Sequence, residues 1–169
     1  MLGNLIKGLF NNKSSIQIDL KKLPSQGLFY NDNFSLSIKK ASEFDINFYN
    51  ENFYNENYEE DPLNILWLVK QMVLRNIIIP PTYTFDDIAS IDIVFIFFKI
   101  VILTNGDDIY VSNSIRSVKF NEENFNYFKI SDELMSKYDN ITKEFVINDF
   151  RFKLPNIGIE SSITKFIND

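Results

Sequence analysis

The sequence predicts an α+β fold in which a β-hairpin-like unit comes first, two central and largely buried helices follow, and a small β unit comes last. Three observations lead to this prediction. Short runs that alternate apolar and polar residues, as half-buried strands do, lie near both ends of the chain. Two longer segments with helix-start signals lie between them. The chain has 169 residues, of which 45% are hydrophobic, so it can bury the core of one domain.

The N-terminal β unit is predicted over residues 16–40. Two alternating runs, IQIDL at 16–20 and FSLSI at 34–38, read as strands. Between them, Pro24 fixes one backbone dihedral angle and Gly27 permits a positive one. A shaped turn is therefore expected between the two strands, in place of a flexible connector.

The helical pair is predicted over residues 61–104. Asp61 followed by Pro62 is a helix start, because Asp can cap the free amides and proline is tolerated in the first turn. The first helix then runs to about Ile77, and two consecutive prolines shortly afterwards prevent its continuation. Apolar residues cover most of its circumference, so we expect it to be largely buried.

The second helix is predicted to begin near Thr84, because Thr84 and Asp87 have the spacing of a capping box. The following segment, 88–104, is rich in Ile, Val and Phe, which favour strands. It is longer than ordinary strands and closes with Asn105-Gly106, a helix-stop signal, so a helix is preferred.

The remaining segments complete a single domain that spans the whole chain. Residues 108–154 contain short alternating runs and are predicted as a β-rich unit, with a helical turn at 131–139. Residues 1–15 and 155–169 are expected to form an N-terminal arm and a C-terminal tail. The Asn, Tyr and Glu repeat at 47–60 is expected to be a surface loop.

Composition excludes several classes of function. The chain contains no Cys and no His, which removes thiolate nucleophiles, Cys/His zinc sites, imidazole bases and disulfides. Its net charge of −6 argues against general binding of nucleic acid or of anionic membranes. The longest apolar run, 91–103, is shorter than the roughly 20 residues that span a bilayer, so no membrane insertion is expected. We therefore predict no catalytic residue, no cofactor and no metal.

Asp92 and Lys99 are the only charged residues in that apolar run, and they lie two helical turns apart. One interpretation is a structural charge pair that meets through a partner helix or a water molecule. The other is that both residues mark the solvent-facing stripe of the helix, because burying either charge alone would cost several kcal/mol. The sequence favours neither interpretation.

Aromatic residues are unusually abundant, with 17 Phe and 8 Tyr in a short chain. The limited interior implies that some of them lie at the surface, where exposed aromatic groups often anchor protein interfaces. We expect these in the turn and in the 47–60 segment. The predicted interaction turn comprises Leu23, Pro24, Ser25, Gly27, Phe29 and Tyr30. The alternative is a structural turn whose Leu and Tyr side chains pack inward.

The turn LPSQGLFY resembles the Leu-Pro-Ser-x-Gly-x-x-Tyr signature that opens a family of baseplate proteins of T-even-type contractile-tailed phages. The segments that follow resemble the family's strand and its two helices, over about residues 18–154. In the second helix, the family has an Asp, then a basic residue, a Gly and an aromatic residue. Those positions are held here by Asp92, Lys99, Gly106 and Tyr110.

This resemblance implies a role in phage tail morphogenesis, without a chemical reaction. The chain would be a baseplate hub component or a hub-assembly chaperone that binds other baseplate and hub proteins, or itself. It would act in the host cell cytoplasm during assembly, and a permanent component would remain in the virion baseplate. Two other classes stay open: a cation-binding hydrolase built from acidic turns, and a protein-interaction domain of another kind.

Overall fold

A computed structural model describes residues 15–53, 62–106, 109–112, 117–120 and 129–168. It confirms the α+β class, since helices combine with two three-stranded antiparallel sheets, one in each half of the chain. A two-stranded antiparallel ribbon lies between them in sequence, with strands at Ile109–Ser112 and Ser117–Phe120.

The N-terminal sheet contains β1 (Ser15–Gln17), β2 (Ser37–Lys39) and β3 (Ile77–Ile78), in that spatial order. The predicted pairing of the first two strands is present, with Ile16 opposite Ile38. Both strands are shorter than predicted. The first ends early because Asp19 accepts a hydrogen bond from the Lys21 amide and caps a single 3-10 turn.

Helix α1 (Glu43–Phe53) corrects the expectation of a surface loop over 47–60, as far as residue 53. The helix begins with a reciprocal cap: the Ser42 amide donates to the Asp45 carboxylate at 3.0 Å, and the Asp45 amide donates to the Ser42 hydroxyl at 3.2 Å. This Ser-x-x-Asp cap is present in the sequence and precedes the repeat. Residues 54–60 lie outside the described residues.

Helix α2 (Pro62–Asn76) has the predicted extent, but it is only half buried. One face packs against helix α3 (Ile93–Asn105) and contributes Val69, Met72 and Val73 to the core. The opposite face exposes apolar side chains, namely Leu63, Leu66, Trp67 and Leu74. The prediction of a largely buried helix was wrong because α2 forms an outer layer, and its apolar surface extends beyond the face that α3 covers.

Helix α3 ends at Asn105 as predicted but begins later than expected. The Thr84 amide does donate to the Asp87 carboxylate at 2.7 Å, yet this cap serves a single 3-10 turn. The next residues are extended because they pair with the C-terminal segment. Ala89 bridges Asn156, and the Ile157 amide donates to the Ile88 carbonyl at 3.0 Å. A tertiary contact thus prevents the helix from starting at the local signal.

The C-terminal sheet contains β6 (Tyr138–Asp139), β7 (Glu144–Ile147) and β8 (Phe150–Phe152), numbered after the ribbon strands β4 and β5. The predicted helical turn is α4 (Asp132–Met135). The prediction of a C-terminal tail was wrong, because Ile157–Asn168 form helix α5. Asn156 caps this helix by accepting a hydrogen bond from the Ile159 amide at 2.9 Å.

The main core lies between the N-terminal sheet, the turn, α2 and α3. Fully enclosed side chains from each of these elements meet there, including Leu23, Ile38, Val73 and Ile96. None of the described helices has the length and apolar character needed to span a membrane.

Candidate functional site

The turn at residues 23–30 is held by a buried hydrogen-bond network centred on Asp92. The Asp92 side chain has no solvent exposure. One of its carboxylate oxygens accepts from the Ser25 amide at 2.8 Å, and the other accepts from the Ser25 hydroxyl at 2.6 Å and the Tyr30 hydroxyl at 2.7 Å. Three donors therefore satisfy a charge that would otherwise be costly to bury.

The network extends through the two hydroxyl groups. The Tyr30 hydroxyl accepts a hydrogen bond from the Ala89 amide at 3.1 Å, and the Ser25 hydroxyl accepts one from the Gly27 amide at 3.2 Å. Gly27 has a φ of +77°, and a Cβ atom there would lie 3.1 Å from the Leu20 side chain. Glycine is thus favoured by the backbone conformation and by the close approach. The network joins the turn to the segment that leads into α3.

Apolar packing encloses the same turn. Leu23 is completely buried, and the Tyr30 ring stacks on Phe34 with 4.3 Å between centroids. Phe29 contacts Tyr138 and Phe145 of the C-terminal sheet, with ring centroids 5.8 and 5.9 Å away. The turn therefore connects the main core to the C-terminal sheet.

These contacts decide between the two interpretations of the turn. Leu23, Pro24, Ser25 and Tyr30 are buried, while Gly27 and Phe29 are half buried. The expectation of an interaction turn that presents these residues to partners is corrected. Leu23, Ser25 and Tyr30 are enclosed, and the Phe29 ring packs against the C-terminal sheet. The inward-packing alternative describes the structure.

Neither the charge pair nor the solvent-facing stripe proposed for Asp92 and Lys99 describes the arrangement observed, because Asp92 is fully buried and bonds to the turn. Among the described residues, the groups that hydrogen-bond to Asp92 belong to Ser25 and Tyr30, and Lys99 is not one of them. Lys99 instead lines a small cavity with Ile16 and Asp19 near β1. The sequence could not show that Asp92 precedes α3 and points to a turn 62 residues away.

Burial controls the protonation of this network. It raises the pKa of Asp92 to about 6, while the hydrogen bonds from Ser25 and Tyr30 act in the opposite direction. Burial, followed by the negative charge of Asp92, also raises the pKa of Tyr30 far above its ordinary value. Tyr30 is therefore a neutral donor at physiological pH. Because Asp92 has no solvent exposure, a substrate cannot reach its carboxylate. The network holds the turn against the segment that precedes α3.

The acidic residues of the described part do not assemble into a metal site. No group of three or more Asp, Glu, His or Cys residues that could hold a metal ion is found within this part. Asp45 instead bonds to Ser42 and lies 3.7 Å from the Arg75 guanidinium. The acidic runs at 59–61 and 107–108 lie outside the described residues.

A first exposed surface is formed by aromatic side chains around Arg75. The guanidinium carbon lies 4.3 Å from the Phe48 ring centroid and 5.5 Å from that of Phe44, which is 69% exposed. We call Phe44, Phe48 and Arg75 the aromatic–arginine cluster. The sequence interpretation missed this cluster, because it treated the second half of α1 as a loop.

A second exposed surface is a groove of about 710 Å³ between α2 and α5. Leu66 and Trp67 line one wall, and Ile163 and Thr164 line the other. Along α5, the apolar side chains of an i, i+4, i+7, i+8 stripe are exposed, namely Ile159, Ile163, Phe166 and Ile167. This spacing is visible in the sequence and would have predicted an amphipathic helix in place of a tail.

Comparison with known proteins provides no relative. No protein-family model, no curated protein and no solved structure matches the chain.

Proposed function

We propose that this chain is a non-enzymatic phage tail morphogenesis protein, either a baseplate hub component or a hub-assembly chaperone. The proposal begins with the resemblance of LPSQGLFY to the baseplate family signature. Four residues that carry the resemblance belong to one hydrogen-bond network, namely Ser25, Gly27, Tyr30 and Asp92. They therefore act together as one structural unit. A signature made of such residues would preserve a fold, so the contact surface must lie elsewhere.

The single observation that supports a role in binding other proteins is the aromatic–arginine cluster. Aromatic and Arg side chains are the residues that most often dominate the binding energy of protein interfaces. Phe44 projects from this cluster into solvent, and Phe48 links it to the half-exposed ring of Trp67, 6.2 Å away between centroids. Arg75 can meet an aromatic or carboxylate group of a partner, because a guanidinium offers a planar set of donors.

Co-expression with each candidate baseplate and hub protein of the same genome tests this proposal. We expect a complex that survives size-exclusion chromatography and loses affinity at least tenfold when Phe44 is changed to Glu, as hot-spot residues do. The matched control is Ile141→Glu, another exposed apolar residue, which lies in the β6–β7 turn. A chain that binds no hub protein and is absent from purified particles would overturn the proposal.

The two forms of the proposal differ in the fate of the protein. A permanent hub component remains in the particle, whereas a chaperone leaves before the tail is complete. Mass spectrometry of purified virions distinguishes them by the presence or absence of peptides from this chain.

A further inference from the structure

We infer that the chain forms a symmetric dimer with a second copy of itself, through a face built from α2 and α5. This α2–α5 face comprises Leu66, Trp67, Ile159, Ile163, Phe166 and Ile167. The inference rests on the geometry of this face alone, and it does not depend on the phage proposal.

The exposed area of the face is the first argument. The exposed fractions of its six side chains correspond to roughly 700 Å², if a large apolar side chain offers about 200 Å². The largest apolar patch on a typical monomer is about 300–600 Å². Each partner of a standard stable interface contributes about 800 Å². The exposed apolar area of the face is therefore close to the area that one partner contributes to a stable interface.

The packing of α5 is the second argument. Its attachment to the rest of the chain is concentrated near its first turn, where Ile157 is buried and Gly158 lies against Asp86. All side chains from 161 to 167 are exposed. A helix of 12 residues is marginal in water by itself and is normally stabilised by packing of its apolar face. The apolar stripe of α5 is consistent with stabilisation by another molecule.

The shape and charge of the face indicate a second copy as that molecule. Phe166 and Ile167 are the most exposed side chains of the face, and we call them the ridge. Ile163 lies in the same stripe of α5 and also lines the groove beside Leu66 and Trp67, so the stripe and the groove are continuous. A two-fold axis can place the ridge of each copy in the groove of the other, which is the requirement of a self-complementary interface. Lys70 and Glu160 at the groove neutralise each other at 2.8 Å, so their charges do not oppose the approach of two copies of an acidic protein.

The mass of the purified full chain in solution tests this inference. Light scattering after size exclusion, at protein concentrations up to roughly 100 μM, should give twice the monomer mass of 19.9 kDa. Phe166→Glu should raise the dimer dissociation constant at least about 100-fold, because the symmetry removes two buried rings from each dimer. The matched control is Phe150→Glu, because Phe150 is 74% exposed and Phe166 is 85% exposed. This control should leave the dimer unchanged.

A mixing experiment tests the ridge-into-groove geometry. Phe166→Glu disables the ridge and Trp67→Lys disables the groove, so each variant alone should be monomeric. Mixed together, they should form a heterodimer, because one native ridge meets one native groove and the other contact pairs Glu with Lys. Circular dichroism of each variant verifies that it is folded.

Three results would overturn the inference. The first is a wild-type chain that stays monomeric at the highest concentration. This result counts against the dimer even if the chain binds a hub protein. The second is a dimer that resists Phe166→Glu. The third is a pair of monomeric variants that fail to associate when mixed.

Discussion

The Tyr30 hydroxyl donates a hydrogen bond to the Asp92 carboxylate at 2.7 Å, joining two residues separated by 62 positions. The same hydroxyl accepts from the Ala89 amide, so one oxygen atom connects the turn to two points before α3. The signature turn and the long apolar helix are therefore one structural unit.

Tyr30→Phe is expected to lower the free energy of unfolding by about 2 kcal/mol, because it leaves the Ala89 amide without its acceptor and Asp92 with one donor fewer. Urea denaturation followed by circular dichroism measures this loss. Tyr83→Phe is the matched control, since it removes the exposed hydrogen bond from the Tyr83 hydroxyl to Asn33. Equal losses in the two variants would contradict the role given to the network.

The stability contribution of Asp92 should increase as the pH falls from about 7 to about 4. Its pKa is raised to about 6 in the folded chain, so the folded state binds the proton more readily than the unfolded state. The contribution is therefore complete below pH 4 and is lost as the pH rises through 6. The difference is up to roughly 3 kcal/mol.

Denaturation curves of the wild type and Asp92→Asn over this pH range isolate the effect of Asp92. The pKa shift of Asp45 has the opposite direction, so its contribution to stability depends on pH in the opposite way. Burial works against the shift, but hydrogen bonds from Ser42 and the charge of Arg75 lower the pKa of Asp45, and its stabilising effect is lost only below about pH 4. Parallel pH profiles for wild type and Asp92→Asn between pH 4 and 7 would contradict the assignment.

Phe29→Ala is expected to loosen the C-terminal sheet more than the main core. Phe29 packs edge-on against Tyr138, whose hydroxyl also donates to the Leu28 carbonyl. Loss of the half-buried ring should cost about 2 kcal/mol and should accelerate amide hydrogen exchange in β6 and β7. Phe150→Ala, at an exposed site of the same sheet, should change neither quantity appreciably. Uniform acceleration throughout α2 and α3 would argue against this local role.

Arg75→Lys is expected to lower the free energy of unfolding by about 1 kcal/mol. Lysine retains the charge near Asp45 but loses the planar contact with the Phe48 ring. Thermal unfolding measures the change. Arg151→Lys is the control, because Arg151 is largely exposed and pairs with Glu144 at the surface. An unchanged melting temperature for Arg75→Lys would mean that the ring contact is not stabilising.

Local signals predicted several elements correctly. The Asp-Pro start placed α2, the Asn-Gly stop placed the end of α3, and the alternating runs over 108–154 predicted a β-rich unit, which contains β7 and β8. Each of these depends on hydrogen bonds or dihedral preferences within a few residues, so the sequence contains the necessary information. The missed helices α1 and α5 had such signals as well, in a Ser-x-x-Asp cap and an apolar stripe.

The sequence indicated which residues belong to the site but not how they are arranged. The sequence singled out Ser25, Gly27, Tyr30 and Asp92 but offered no evidence that they meet. It left open whether Asp92 pairs with Lys99 or whether both residues mark a solvent-facing stripe, because spacing along a helix was the only geometry available. The structure places Asp92 in a 3-10 turn directly before α3, where its carboxylate accepts hydrogen bonds from Ser25 and Tyr30.

The sequence by itself determined the α+β class, the shaped turn, the bounds of α2 and the end of α3, because short-range backbone hydrogen bonds and dihedral preferences set them. Tertiary structure alone decided the direction of the turn, the delayed start of α3 and the exposed faces of α2 and α5. These features depend on which surfaces meet across distant parts of the chain. Apolar periodicity reveals that a face exists, but only packing decides whether that face is buried within the chain or left for another molecule.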